Sequence, residues 1–172
     1  RDRPQALGKN IGNAAIFFNG SETTTIFKNN LPNYGVFDEK RIFKEGPPYD
    51  YIKYKKLKIG LMICEDMWTD KIAKRLIKKT VDLFICINAS PYDHEKQAQR
   101  YEVAKNITNI SKKPIIYVNQ IGGQDELVFD GGSFVLDGNG KIFSNLKNWT
   151  EDVKVVDIYC NKFRTVSYTH LR

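Results

Sequence analysis

The three cysteines of this chain sit in different settings, and one of those settings could do chemistry. Cys64 closes the apolar run IGLMIC and is followed at once by Glu65-Asp66-Met67-Trp68. A thiol on the turn between a strand and a helix is presented at the end of a sheet. Backbone N–H groups there can hold an oxyanion and lower the thiol pKa. The same position suits a buried structural cysteine, and position alone leaves both readings open. Cys86 lies inside DLFICIN, which reads as structural packing, and Cys160 has no supporting context. His94 opens a helix and His170 stands near the end of the chain, so a Cys-His dyad has no support. The candidates for base and electrostatic helper are therefore lysines and carboxylates. Lys28 precedes a segment punctuated by Gly and Pro, and Glu39 lies within it. Alone, either reads first as a surface charge. An odd number of cysteines without C-x-x-C spacing speaks against a disulfide framework or a zinc site and fits a reducing cytosol. Two separated histidines give no His-metal site.

These residues need elements to position them. Asn13 to Lys28 reads as a hairpin, AAIFFN and TTTIF about a Gly20-Ser21 turn. LPNYGVFDEKRIFKEGPPYD, with three prolines and two glycines, reads as a long ordered loop, a kind of segment often functional. LKIGLMIC, DLFICINA and PIIYVNQ, entered at Pro114, read as buried strands. The helix DKIAKRLIKKT, capped by Thr69-Asp70, separates the first two, with Ile72, Leu76 and Ile77 on one face. A helix from His94 to Ser111 separates the second pair, with Ala98, Tyr101, Val103, Ala104, Ile107 and Ile110 mostly inward. Strand-helix-strand-helix-strand predicts an α/β fold whose near-parallel strands are buried on both faces. GSFVLD and KIFSNL flank the turn Gly138-Asn139-Gly140, and VKVVDI reads as a further strand.

The whole chain bounds the answer. Its 172 residues suit one domain, and 41% hydrophobic and 12% aromatic residues can build a core. No apolar run approaches the roughly 20 residues of a membrane span, and no signal peptide opens the chain. The net charge of +7 rests on 20 Lys against 7 Arg, the wrong balance for a nucleic-acid reader. Lys53, Lys55, Lys56 and Lys58, then Lys71, Lys74, Lys78 and Lys79, read as a solvated face. The chain does not begin with Met, and its opening RDR and closing SYTHLR resemble adapter read-through (residues 1-3 and 167-172) more than native protein.

KNNLPNYGVFDEKRIF, KIGLMICEDMW, INASPY and YVNQIGGQDELVFDGGSF, in that order, resemble the nitrilase superfamily. LPNYGVFDE and GGQDELVFDGGSF point to one branch, the glutamine-hydrolysing domain of glutamine-dependent NAD synthetases. The resemblance runs from about Asn13 to Leu146. It implies the nitrilase αββα sandwich, incomplete at its amino-terminal edge, as one partial domain over 1-172. It implies Cys64 as nucleophile on the glutamine side-chain amide. Lys28 and the backbone N–H of Glu65 then face the oxyanion, and Tyr34, Ser90 and Lys96 hold the substrate. Glu39 resembles an additional acidic residue that orients Lys28. The resemblance further implies a cytoplasmic protein assembling as a homo-oligomer, with no metal in this domain.

The departure from the pattern concerns the base. The superfamily's catalytic Glu lies on an early strand-helix unit that this sequence does not contain, and Glu39, Glu65 and Glu126 belong to later blocks. The fragment alone is therefore expected to be inactive. No G-x-x-x-x-G-K-[ST] occurs, so ATP and deamido-NAD are expected to bind a synthetase domain of the parent protein outside this chain. Two rival readings are a stand-alone amidase acting on another small amide and a catalytically dead interaction module. GGQDELVFDGGSF argues against the first, and intact Lys28 and Cys64 against the second.

Overall fold

The computed structural model describes residues 11–158. Cys160, His170, RDR and SYTHLR lie outside the described residues. Ten strands, β1 (Ala14–Asn19), β2 (Glu22–Phe27), β3 (Ile52–Tyr54), β4 (Leu57–Ile63), β5 (Leu83–Asn88), β6 (Ile115–Asn119), β7 (Ile121–Gln124), β8 (Leu127–Asp130), β9 (Phe134–Leu136) and β10 (Ile142–Asn145), occur in the described residues. Three helices, α1 (Glu39–Ile42), α2 (Asp70–Lys78) and α3 (Lys96–Ser111), accompany them.

Six strands form one mixed sheet in the order β10-β9-β6-β5-β4-β3. The three expected buried strands, β4, β5 and β6, run parallel at its centre. Their side chains alternate between two cores, which is why their sequences are apolar throughout. Met62, Phe84, Cys86, Ile115 and Tyr117 face α2 and α3. Ile59, Leu61 and Ile63 face the β1–β2 hairpin, against Ala15 and Ile26. Helix, sheet and hairpin thus stack as three of the four layers of the αββα sandwich, with β1–β2 in the second β layer. The hairpin covers only the β3–β4 end of that face. Farther along, Ile87 and Val118, paired in register, are 36% and 45% exposed.

Helix α2 buries Ile72, Ala73 and Leu76, while Ile77 is half-buried. Burying side chains such as Ile72 and Leu76 contributes about 1.5–3 kcal/mol each. Gly60 lets α2 approach the sheet: a Cβ there would lie 3.2 Å from Leu76 Cδ1. On α3 the buried face is Arg100, Ala104, Ile107 and Thr108. The expected inward Ala98 and Ile110 instead point to solvent, Ile110 being 64% exposed. An apolar count missed this because two of the four buried positions are polar and satisfied by hydrogen bonds.

The β1–β2 hairpin closes at Gly20 (φ 63°), with Asn19 opposite Glu22. The 31–50 segment is loop except for the single turn α1. Two elements were not anticipated: β3, an edge strand antiparallel to β4, and the β7–β8 hairpin. VKVVDI is not a strand. Val153 and Val155 are exposed, and β-branched residues favour a strand only where a sheet surface receives them. Of the lysine clusters, Lys58 is half-buried and the other seven are exposed.

Candidate active site

Strand β4 ends at Ile63, and Cys64 turns the chain with φ 47°, an uncommon conformation for a residue with a side chain. A single 3₁₀ turn, Cys64–Met67, links β4 to α2. The thiol is thereby set at the carboxyl end of the parallel sheet. Strand β5 ends beside it, and Ser90 follows on the next loop. A cavity of about 430 Å³ opens here, and Cys64, Glu65, Trp68, Tyr34, Ser90 and Lys96 are among its lining residues. Five of the seven expected site residues therefore meet in one cavity.

The other two adjoin it. Lys28, at the exit of β2, is 2% exposed, and its Nζ lies 2.7 Å from Glu39 Oε1. Asn13 Nδ2 donates to the other Glu39 oxygen at 3.5 Å. Burial pushes the Cys64 thiol up, the Lys28 ammonium pulls it down, and Glu65 raises it again. A backbone hydrogen bond from Ala89 also favours the thiolate. Lys28 thus favours the thiolate by charge, while its ammonium is held by Glu39.

Around the cavity, Tyr34 Oη donates to Glu65 Oε1 at 2.8 Å. Burial and Glu65 push the Tyr34 hydroxyl up to about 12, so it remains a neutral donor near pH 7. Lys96 Nζ sits 4.3 Å from the centroid of the Trp68 ring, a cation–π placement. Ser90 is held on several sides. Its N–H donates to Asn119 Oδ1 at 2.9 Å, and its carbonyl accepts from Arg100 Nη2 at 2.8 Å and Asn119 Nδ2 at 3.2 Å. Its hydroxyl oxygen accepts from Arg100 Nε at 3.2 Å. Arg100 is itself paired with buried Asp130 at 2.9 Å.

Cys86 is fully buried. Its thiol faces Asn88 Oδ1 at 3.3 Å and the Cys64 carbonyl, which fits the structural reading. Sequence reasoning did not single out Trp68, Arg100 or Asn119. Trp68 stands inside the quoted CEDMW block. Arg100 and Asn119 are polar residues that only tertiary contacts reveal as buried.

The sandwich and a lysine-flanked cysteine at the sheet end define a carbon-nitrogen hydrolase. That family matches residues 4–168, and the chain belongs to it. The chain is similar to the glutamine-dependent NAD(+) synthetase of Acinetobacter baylyi, 36% identical over 146 residues, covering 85% of this chain and 27% of that one. The synthetase of the same name from Xanthomonas campestris is 38% identical over 157 residues, covering 90% and 28%. Among solved structures, a glutamine-dependent NAD+ synthetase from Acinetobacter baumannii, in complex with ADP, superposes with TM-score 0.78 at 39% identity over 82% of this chain and 27% of that one. A carbon-nitrogen hydrolase from Helicobacter pylori shares the fold, with TM-score 0.73 at 22% identity, over 81% and 54%. The chain spans little more than a quarter of the length of the curated relatives.

Proposed function

We propose that this chain carries the glutamine-hydrolysing site of a glutamine-dependent NAD synthetase. The observation that supports it most is the gathering of Cys64, Tyr34, Glu65, Ser90 and Lys96 around one cavity, with buried Lys28 acting on the thiol. In this reading Cys64 Sγ attacks the side-chain amide carbon of glutamine. The thiol proton passes to a base and on to the leaving nitrogen, and the C–N bond breaks to release ammonia. Water then attacks the thioester, giving glutamate and the free thiol. Lys28 and the Glu65 backbone N–H stabilise the negative oxygen of each tetrahedral intermediate, the kind of preorganised electrostatics that supplies a large share of catalysis. Lys96 meets the substrate carboxylate, and Ser90 and Tyr34 complete the pocket.

Glu39 directs one oxygen to Lys28, which suits orientation of the ammonium rather than proton transfer from the thiol. The ammonia serves ATP-dependent amidation of deamido-NAD by the rest of the parent protein. The test uses that parent protein. Cys64→Ala should abolish NAD synthesis from glutamine and leave synthesis from added ammonia intact. Equal loss of both in a folded variant would overturn the two-site reading.

A further inference from the structure

Lys28 and Cys64 come from different parts of the chain, and nothing in either local element sets their separation. Lys28 leaves β2 of the hairpin layer; Cys64 leaves β4 of the central sheet. One side chain joins the two backbones. Asp66 is fully buried, and three main-chain N–H groups donate to its carboxylate. Asn29 N and Asn30 N reach Oδ1 at 3.1 and 2.7 Å, and Ile63 N reaches Oδ2 at 3.1 Å. Asn29 is the residue after Lys28, and Ile63 is the residue before Cys64. A second strap, Asn30 Nδ2 to the Glu65 carbonyl at 3.1 Å, crosses the same seam.

We infer that Asp66 is a positioning residue: its carboxylate fixes the distance between the Lys28 ammonium and the Cys64 thiol by clasping residues 29–30 to residue 63. The inference rests on the reading of Cys64 as nucleophile and Lys28 as its electrostatic partner. Three donors converging on two oxygens need a group that only accepts, which an ionised carboxylate is and an amide is not. Asp66→Asn keeps the shape but must turn an NH₂ toward either Ile63 N–H or the Asn29–Asn30 pair, so it opens one side of the clasp. Besides the N–H donors, Lys28, Tyr49 and Cys86 are the titratable groups whose charges couple to Asp66.

The experiment measures the rate of Cys64 alkylation by iodoacetamide against pH, with mass mapping, on the full parent protein and its Asp66→Asn, Lys28→Met and double variants. Circular dichroism and thermal melting report folding. The sign is diagnostic. Deleting a negative charge near a thiol moves its titration down or not at all, whereas displacing Lys28 moves it up. Asp66→Asn is expected to move the alkylation midpoint upward, in the same direction as Lys28→Met. At a fixed pH below the midpoint, the thiolate fraction and the rate fall about tenfold when the midpoint rises by one on the pH scale. The double variant should move no further than Lys28→Met alone.

A folded Asp66→Asn with an unchanged or lowered midpoint, or additive displacements in the double variant, would overturn the inference. Asp66→Ser, whose short neutral hydroxyl cannot bridge both straps, is the second variant and is expected to move the midpoint upward as Asp66→Asn does. If neither variant folds, Asp66 is a stability residue and the positioning role falls. An unmoved profile in Lys28→Met sinks the Lys28–Cys64 reading itself and is distinguishable from failure of the Asp66 inference.

Discussion

Lys28 Nζ and Glu39 Oε1 lie 2.7 Å apart, but only the lysine is sealed from solvent: its side chain is 2% exposed against 18% for the glutamate. The pair is asymmetric, because each partner would be stranded in a different environment if the other were removed. Glu39→Gln leaves a buried ammonium without its hydrogen-bonded counter-charge and should destabilise the chain by about 3 kcal/mol. Lys28→Met leaves a carboxylate that still reaches water and Asn13, so its loss should be smaller. Urea denaturation of the two variants checks the order, and an equal or reversed order would contradict it.

Alkylation should separate the cysteines. A glutamine-mimicking electrophile is expected to label Cys64 and spare fully buried Cys86. Burial raises the Cys64 thiol above the ordinary thiol value, with Lys28 only partly opposing it. The thiolate fraction is therefore small near neutrality and grows with pH. The labelling rate should still be climbing at about pH 8.5, the ordinary thiol midpoint. A plateau below that pH, or preferential labelling of Cys86, would contradict the geometry.

Lys96 Nζ sits over the Trp68 ring at the cavity wall. In the proposed reading its charge meets the substrate carboxylate, a group present in ground and transition states alike. Lys96→Ala in the parent protein should therefore raise KM for glutamine about tenfold to hundredfold and leave kcat nearly unchanged. Trp68→Leu should raise KM in the same direction by less, since it frees the ammonium without removing it. Steady-state kinetics with glutamine decides, and an unchanged KM in Lys96→Ala removes that residue from the pocket.

The 172 residues assayed alone should hydrolyse glutamine poorly, because Glu39 is committed to Lys28 and a general base is worth about 10²–10⁴-fold in rate. Ammonia release is compared with that of the full parent protein. Comparable turnover would make Glu39 the base.

The central architecture was legible because its strands obey simple rules. Runs buried on two faces are apolar throughout, and α2 keeps its apolar residues on one stripe. Strand β3 escaped because an edge strand of three residues buries only Ile52, and Lys53 with the turn lysines Lys55 and Lys56 hides the pattern. The β7–β8 hairpin is coded by GGQDELVF, where glycines and carboxylates obscure any alternation. Helix α3 was located correctly but rotated in part. Arg100 and Thr108 face inward, and no periodicity of apolar residues can report a buried ion pair. Six of the seven expected site residues stand in motif blocks, with Lys96 just beyond INASPY, and the cavity gathers five of the seven. Asp66 stood in plain view two residues after Cys64, yet its partners at 29 and 30 are 37 and 36 residues distant in sequence.

The two cores carry a consequence for motion. The thiol stands on the large cooperative unit, the central sheet with α2 and α3. Its counter-charge follows the hairpin, whose buried apolar residues are Ala15 and Ile26. A unit with so little buried apolar surface opens at lower free energy than the sheet beneath it. Excursions of the hairpin that release the Asp66 clasp therefore separate Lys28 from Cys64 while the rest of the molecule stays folded. Amide hydrogen exchange should show this directly, with the β1–β2 amides exchanging well ahead of those in β4 and β5. The fraction of molecules holding the competent site is then set by a local opening equilibrium, not by global unfolding.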